Sequence, residues 1–410
     1  MKRLRPALVL GQAMAVRAGP GVINLASLMV LGNVTAVSTY GIFSTVVATG
    51  GMISNMVFGL VILATVSQYA GHAYRENENV YVSTLVILSC ALAIPVVTIG
   101  LAAAIWIELA LPALALVLTL SAHAILQELV RARQKLVIYG LSDITQALVF
   151  LVTTYVMFDR QTTAGAVVFA FSASYIPAVL ISLAGLRGIR PVAASVVVAK
   201  DIVGVGRWLV LTNLSENVLY TGARYLVLGA FGPHALGIIS FSVDLSQRTV
   251  AFLVNAASFV YVPKAFHVRE RDGDRAFWRT LREGGIVAGI TAVAAIVVVV
   301  GLLLGPAAAH YAPATFDAVI FVIVALAGVA NRLKKLLVEP MAIVRGVASR
   351  LPIANVLGAA GGLAVMALSI PFQSLSVLAG GYLCGYLAIV ALSIRFVVGV
   401  PSTPPAMLDR

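Results

Sequence analysis

Charge is what this sequence has least of. Only 11% of its 410 residues are Asp, Glu, Lys or Arg, against roughly 25% in soluble domains. With 60% hydrophobic residues and a mean hydropathy of +1.01, the chain has too few polar groups to cover its apolar mass in water. Cysteine is nearly missing. Cys90 and Cys384 sit singly in apolar runs, which excludes a disulfide framework and a cysteine metal site; both read as small core residues. No GxxxxGK[ST] motif occurs, so ATP is not the direct drive. No cofactor or metal site is expected, and no long outer loop is present to carry catalytic residues, which argues against a membrane enzyme. Alternating apolar and polar residues, the signature of a membrane barrel, are also lacking.

What fills the chain is long apolar runs such as Ile296 to Gly305. A membrane helix needs about 20 residues, and twelve spans use nearly the whole length. They are placed at 8–31, 40–66, 81–106, 111–130, 138–158, 164–186, 207–230, 234–262, 284–305, 311–331, 352–370 and 376–398. The fold expected is an all-α, polytopic membrane protein of about 12 transmembrane helices. The start, MKRLR then PALVLGQAMAV, has the shape of a signal peptide with a small-residue site near Ala13 to Ala15. The apolar run resumes after Arg17, however, so an uncleaved first helix fits better.

The net charge of +12 invites a nucleic-acid reading, which the placement of the charges excludes. Of 28 basic residues, 24 fall in one set of alternate loops and tails, one (Arg160) in the other set, and three (Arg17, Arg224 and Arg248) inside spans. By the positive-inside rule both termini are cytoplasmic, in a bacterial inner membrane, and the number of spans is even. The longest inner loops are 187–206, 263–283 and 332–351. The first divides the chain into a six-helix lobe (1–190), a cytoplasmic linker (191–206) that can lie as an interfacial helix, and a second six-helix lobe (207–410). VLGNVTAVSTYGIFS (Val30 to Ser44) and VLGAFGPHALGIIS (Val227 to Ser240) fall at the first outer turn of each half. That suggests an internal repeat, common in secondary transporters with substrate at the repeat interface.

Ionisable residues inside spans are costly and turn away from lipid. Arg17, Gly21 and Asn24 share a face of the first span, which RAGPG (Arg17 to Gly21) interrupts because Pro20 has no N–H to donate. Asn213, Glu216, Tyr220 and Arg224 share a face of the seventh span, and Asp244, Arg248 and Asn255 a face of the eighth. Ser44 and Asn55 mark the second, His123 and Gln127 the fourth. The ninth is almost purely apolar. Polarity therefore concentrates on spans that open each half, which implies a wet central cavity between the lobes. Plainer readings stand beside this one. Asp244 can neutralise Arg248, Glu216 can pair with an Arg, Arg17 and Arg224 can snorkel, and His123 can be a hydrogen-bonded core residue. Gly361–Gly362, Gly380–Gly381 and Gly385 read as close helix packing. Three arginines against Glu216 and Asp244 leave one positive charge over, which suits an anionic substrate.

LASLMVLGNVTAVSTYGIFS (Leu25 to Ser44), YTGARYLVLGAFGPHALGIISFS (Tyr220 to Ser242) and LQELVRARQKLVIYGLSDI (Leu126 to Ile144) resemble polysaccharide or O-antigen (Wzx-like) flippases. These belong to the superfamily that also holds lipid II flippases and MATE drug exporters. The resemblance implies a flippase moving a polyprenyl-diphosphate-linked oligosaccharide from the cytoplasmic to the periplasmic leaflet for surface polysaccharide biosynthesis, with other polysaccharide-assembly membrane proteins as possible partners. It carries first- and seventh-helix cations onto Arg17 and Arg224. The residues placed on the diphosphate are then Arg17, Asn24, Tyr220, Arg224 and Arg248, with Glu216 and Asp244 as candidates for ion coupling. The alternative is a MATE-like exporter of small soluble molecules, which would favour a carboxylate-rich cavity.

Overall fold

The computed structural model describes residues 4–65, 69, 78–133, 135–305 and 314–399; the side chains of residues 4–18, 63, 205–209, 212, 213, 251, 255, 256, 259 and 270 lie outside that description. Every regular element among the described residues is helical, as hydrocarbon requires of a chain that is not a closed barrel. The elements are α1 (Leu4–Val34), α2 (Val37–Val57), α3 (Gly59–Ala64), α4 (Glu78–Ala104), α5 (Ala110–Ala132), α6 (Leu136–Met157), α7 (Ala164–Gly185), α8 (Val196–Asp272), α9 (Asp274–Leu304), α10 (Ala318–Val344), α11 (Leu351–Ser369) and α12 (Leu375–Val398). The chain forms two compact units, Met1–Leu214 and Ser215–Arg410.

Among the described residues each of the twelve expected spans contains helix, the tenth beginning only at Ala318; residues 66 and 311–313 lie outside the described residues. The second is α2 and α3 together, broken at Phe58. The seventh and eighth are the two arms of α8, which reverses at Gly232, where φ is +79°. Only glycine adopts that backbone region freely, and Pro233 directly follows.

Several expectations need correcting. Pro20 does not interrupt the first span, because α1 runs through it unbroken; neighbouring turns and packing tolerate one missing bond in a membrane helix. The inner loop 263–283 is mostly helix, ended only at Gly273 with φ of +80°. The loop 332–351 is largely the last turns of α10. Residues 190–195 are not helical. They lie along α4, where Asn79, Ser83 and Thr84 side chains accept from the backbone N–H of Arg190, Val192 and Ser195. Cys90 and Cys384 are exposed rather than in the core.

The third helix of each half, α4 and α9, leaves most of its apolar surface exposed, including Ile94, Ile99, Ile290 and Val297. Such surface has no aqueous explanation and marks the faces that lipid covers.

The two units repeat each other. In each, the last helix packs against the two before it: α7 on α5 and α6, α12 on α10 and α11. Arg133 Nη1 donates to the Gly185 carbonyl at 3.2 Å and Arg345 Nη1 to the Val397 carbonyl at 2.8 Å, each bond spanning 52 residues. Each cation thus caps a helix C-terminus, where the dipole favours positive charge. His123, Gln127 and Asp143 stand 212 positions before Lys335, Glu339 and Asn355, the same offset as Arg133 to Arg345. The VLG segments are only 197 apart, so the second unit gains its extra length in the helical extension around 263–283.

Beside the first cap, Arg133 Nε pairs with Glu78 at 2.9 Å, and the Tyr69 hydroxyl donates to the same carboxylate. Burial and then that carboxylate hold the phenol pKa well above its ordinary value, so Tyr69 stays a neutral donor throughout the physiological range.

Helices α11 and α12 meet at four glycines: Gly362 faces Gly385, Gly358 faces the backbone of Ile389, and Gly381 faces the backbone of Met366. A Cβ on Gly362 would stand 2.5 Å from Gly385 Cα, and one on Gly358 2.6 Å from Ile389 N. Gly361 and Gly380 have open space instead. Small residues at this spacing let backbones touch. Gly362→Leu should therefore cost about 3 kcal/mol or more, since overpacking against side chains already costs about 1–3 kcal/mol and backbone cannot swing away. Gly361→Leu should be neutral. Thermal unfolding of both variants in detergent checks this; equal midpoints would refute the backbone contact.

Candidate functional site

Among the described residues, three groups of buried polar side chains carry ionisable residues deep in the bundle, one around Asp143 in the first unit and two in the second. In the first unit, α5 presents His123 and Gln127 one turn apart, and α6 presents Asp143. His123 Nε2 lies 3.1 Å from Asp143 Oδ1, and Gln127 Nε2 donates to the same oxygen at 3.1 Å and to the Tyr139 carbonyl at 3.2 Å. A carboxylate needs donors, so the tautomer with a proton on Nε2 fits, and Nδ1 then points inward as an acceptor. Nδ1 has no hydrogen-bond partner among the described residues. The imidazole packs on the Tyr175 ring at 5.2 Å, at the end of an aromatic stack through Phe171, Phe150 and Phe43. The group can store or pass a proton. His123 is the hydrogen-bonded residue the sequence suggested. Asp143 was missed because it follows closely on the basic stretch Arg131 to Lys135.

In the second unit, the reversal at Gly232 brings the arms of α8 side by side. Twenty residues of straight helix would separate Arg224 from Asp244 by about 30 Å; here Arg224 Nη2 donates to Asp244 Oδ1 at 2.8 Å. The guanidinium also donates to the Tyr220 hydroxyl and carbonyl, each at 3.1 Å, and lies 4.0 Å over the Tyr220 ring. Its side chain is 1% exposed. Arg224 therefore does not snorkel to the outer surface; its contacts with Tyr220 and Asp244 hold it inside. Arg248 lies half-buried one turn beyond Asp244. Tyr382 and Tyr386 on α12 join the same core.

Glu216 opens the other cluster. Its partners are lysines, not an arginine: Lys335 Nζ donates to one carboxylate oxygen, and Lys334 Nζ lies 3.5 Å from the other. Lys334 is fully buried, donates to Asn355 at 2.9 Å and sits 3.4 Å from Glu339. Asn355 in turn donates to Ser215 at 3.2 Å. Arg332 donates to Gln247 at 2.9 Å. Sequence reasoning missed Arg332, Lys334, Lys335 and Glu339 because it ended the tenth span at residue 331 and counted what followed as inner loop; Asn355, inside the eleventh span, went unnoticed as a single amide in an apolar run. The signal available was the offset to His123, Gln127 and Asp143.

Among the predicted substrate residues, the structure joins Tyr220, Arg224 and, one turn on, Arg248, together with the coupling candidate Asp244. Glu216 belongs to the lysine cluster. Asn24 is half-buried on α1. The side chains of Arg17, Asn213 and Asn255, and of the Ala13 to Ala15 stretch, lie outside the described residues.

No protein-family model and no curated protein matches the chain. Its fold does match solved structures along almost the full length. An inward-facing multidrug resistance MATE family transporter of the MOP superfamily aligns with a TM-score of 0.70 and 14% identity, over 93% of each chain. The eukaryotic MATE transporter AtDTX14 aligns at 0.62 and 16%, over 97% of this chain and 96% of that one. A MOP superfamily transporter from Pyrococcus furiosus, described as having a binding pocket of reversed polarity that suggests a different function, aligns at 0.56 and 14%, over 97% and 94%. At such identities the likeness establishes the fold: this is a multi-pass membrane protein built as MATE transporters are.

Removing one partner of a buried pair leaves a charge without compensation and costs about 3–5 kcal/mol. Arg224→Ala should lose that much, and Arg224→Ala with Asp244→Ala should regain most of it. Unfolding midpoints of both variants in detergent measure the difference; equal losses would mean that Asp244 is not the partner that holds Arg224.

Proposed function

We propose that this chain is an exporter of small soluble molecules across the bacterial cytoplasmic membrane, working by alternating access, with both termini in the cytoplasm. The observation that carries this reading is the state of Arg224. Its guanidinium is engaged by Asp244 and Tyr220 and is 1% exposed, so it has no face to offer a diphosphate. Four carboxylates take part in the polar clusters, Asp143, Glu216, Asp244 and Glu339, where sequence alone counted two. A carboxylate held by a movable cation can exchange that cation for a proton or a substrate ammonium group, which is the chemistry of an antiporter. The full-length similarity to multidrug transporters supports the same class. Within it, Asp143 with His123 joins Glu216 and Asp244 as a candidate for ion coupling.

The second reading remains a flippase for polyprenyl-diphosphate oligosaccharide, with Arg17, Asn24, Tyr220, Arg224 and Arg248 on the diphosphate. One observation favours it: in the second unit Arg224, Arg248, Arg332, Lys334 and Lys335 outnumber Glu216, Asp244 and Glu339.

Proteoliposomes separate the two. With an imposed proton gradient, the exporter should drive efflux of a fluorescent organic cation, and Asp143→Asn should lower the rate at least about tenfold, roughly a 1.4 kcal/mol effect on a proton-binding step. A fluorescent polyprenyl-diphosphate sugar should stay in its leaflet. Flipping of that lipid without cation efflux would reverse the order of the two readings. Normal efflux from Asp143→Asn would remove His123 and Asp143 from coupling.

A further inference from the structure

A groove of about 330 Å³ opens on the second unit between α9 and α10, lined by Trp278, Leu281, Arg282, Gly285, Leu337 and Met341, with Ile286 at its edge. It exists because Gly285 has no side chain: a Cβ there would stand 3.0 Å from Leu337 Cδ2. Its depth in the membrane can be read from α9. The last charge on that helix is Glu283, and Gly284 to Leu304 is apolar but for Thr291. At 1.5 Å per residue that run covers about 32 Å, close to the roughly 30 Å of hydrocarbon. Residue 284 therefore marks the boundary between hydrocarbon and headgroups, and the groove straddles it.

Along α9, Arg275, Trp278, Arg279, Arg282 and Ile286 follow one another at helical spacing on a single face. The groove's lining thus continues toward water as a basic stripe. Arg279 is paired with Glu283 at 3.2 Å. Arg275 and Arg282 are exposed and make no ion pair among the described residues. Trp278 stands between them at the depth where indole favours the interface. Apolar walls below the boundary and unpaired guanidinium groups above it, in one line, match a molecule with an acyl chain and an anionic head.

We propose that this groove binds an anionic phospholipid, one acyl chain lying against Leu281, Gly285, Leu337 and Met341 and the phosphate held by Arg282 and Arg275. The site is independent of the transported substrate. Lys334 and Lys335 precede Leu337 on α10 by less than one turn. The lipid therefore sits beside the cluster around Glu216 and is placed to affect how that cluster opens.

Trp278 reports on the site directly. The protein with Trp106→Phe and Trp208→Phe keeps it as the sole indole, and is reconstituted in phosphatidylcholine vesicles containing a minor share of phosphatidylglycerol. Bromine is placed on the chains of one lipid or the other. Brominated phosphatidylglycerol should quench Trp278 beyond its share of the bilayer, by about fivefold in apparent affinity for each arginine at the head. Arg275→Ala with Arg282→Ala should bring quenching down to the bulk share. Arg395→Ala, a basic residue exposed at the end of α12, should leave the preference intact. Equal quenching by the two lipids in the starting protein would overturn the proposal. So would loss of the preference with Arg395→Ala, since that would mean diffuse attraction to a basic surface.

Discussion

Hydrocarbon offers no hydrogen-bond partner, and most of this structure follows from that. Each backbone amide in a span must bond within its own helix, which leaves side chains as the only polar groups free to choose partners. They choose them in tight groups. Asp143 takes His123 and Gln127; Asp244 takes Arg224 and Tyr220; Glu216 takes Lys334 and Lys335. Lone serines and threonines return to the carbonyl one turn back, as Thr45, Thr154 and Ser172 do.

The repeat between the units shows how the same scaffold carries different charge. The position of His123 in the first unit is Lys335 in the second, Gln127 becomes Glu339, and Asp143 becomes Asn355. The helix-capping arginines, Arg133 and Arg345, keep both their residue type and their geometry. A histidine–carboxylate pair in one unit thus has a lysine–carboxylate network as its counterpart in the other.

The lipid-facing helices follow the opposite rule. On α4 and on α9 beyond Glu283 nearly everything polar has been removed from the exposed face, and packing is left to one side. Where two backbones must touch, as between α11 and α12, glycine replaces the side chains. The membrane thus sorts residue types by what each face meets.

What the sequence determined by itself was set by local physics. Twelve apolar runs, a basic bias in alternate loops and too little charge for water were enough to establish a polytopic helical bundle. The sequence marked Gly361–Gly362, Gly380–Gly381 and Gly385 for close packing, and the structure uses Gly362, Gly381 and Gly385 for it while Gly361 and Gly380 face open space. What only the tertiary structure decided was which charges meet. Arg224 and Asp244 lie 20 residues apart, and nothing in their spacing says that the chain turns back between them at Gly232. Lys334 looked like a loop residue because charge ended the hydropathy run; inside, Asn355, Glu216 and Glu339 offset the cost of burying it. Burial of an ion depends on partners brought from distant helices, and so it is a property of the fold and not of any window of sequence.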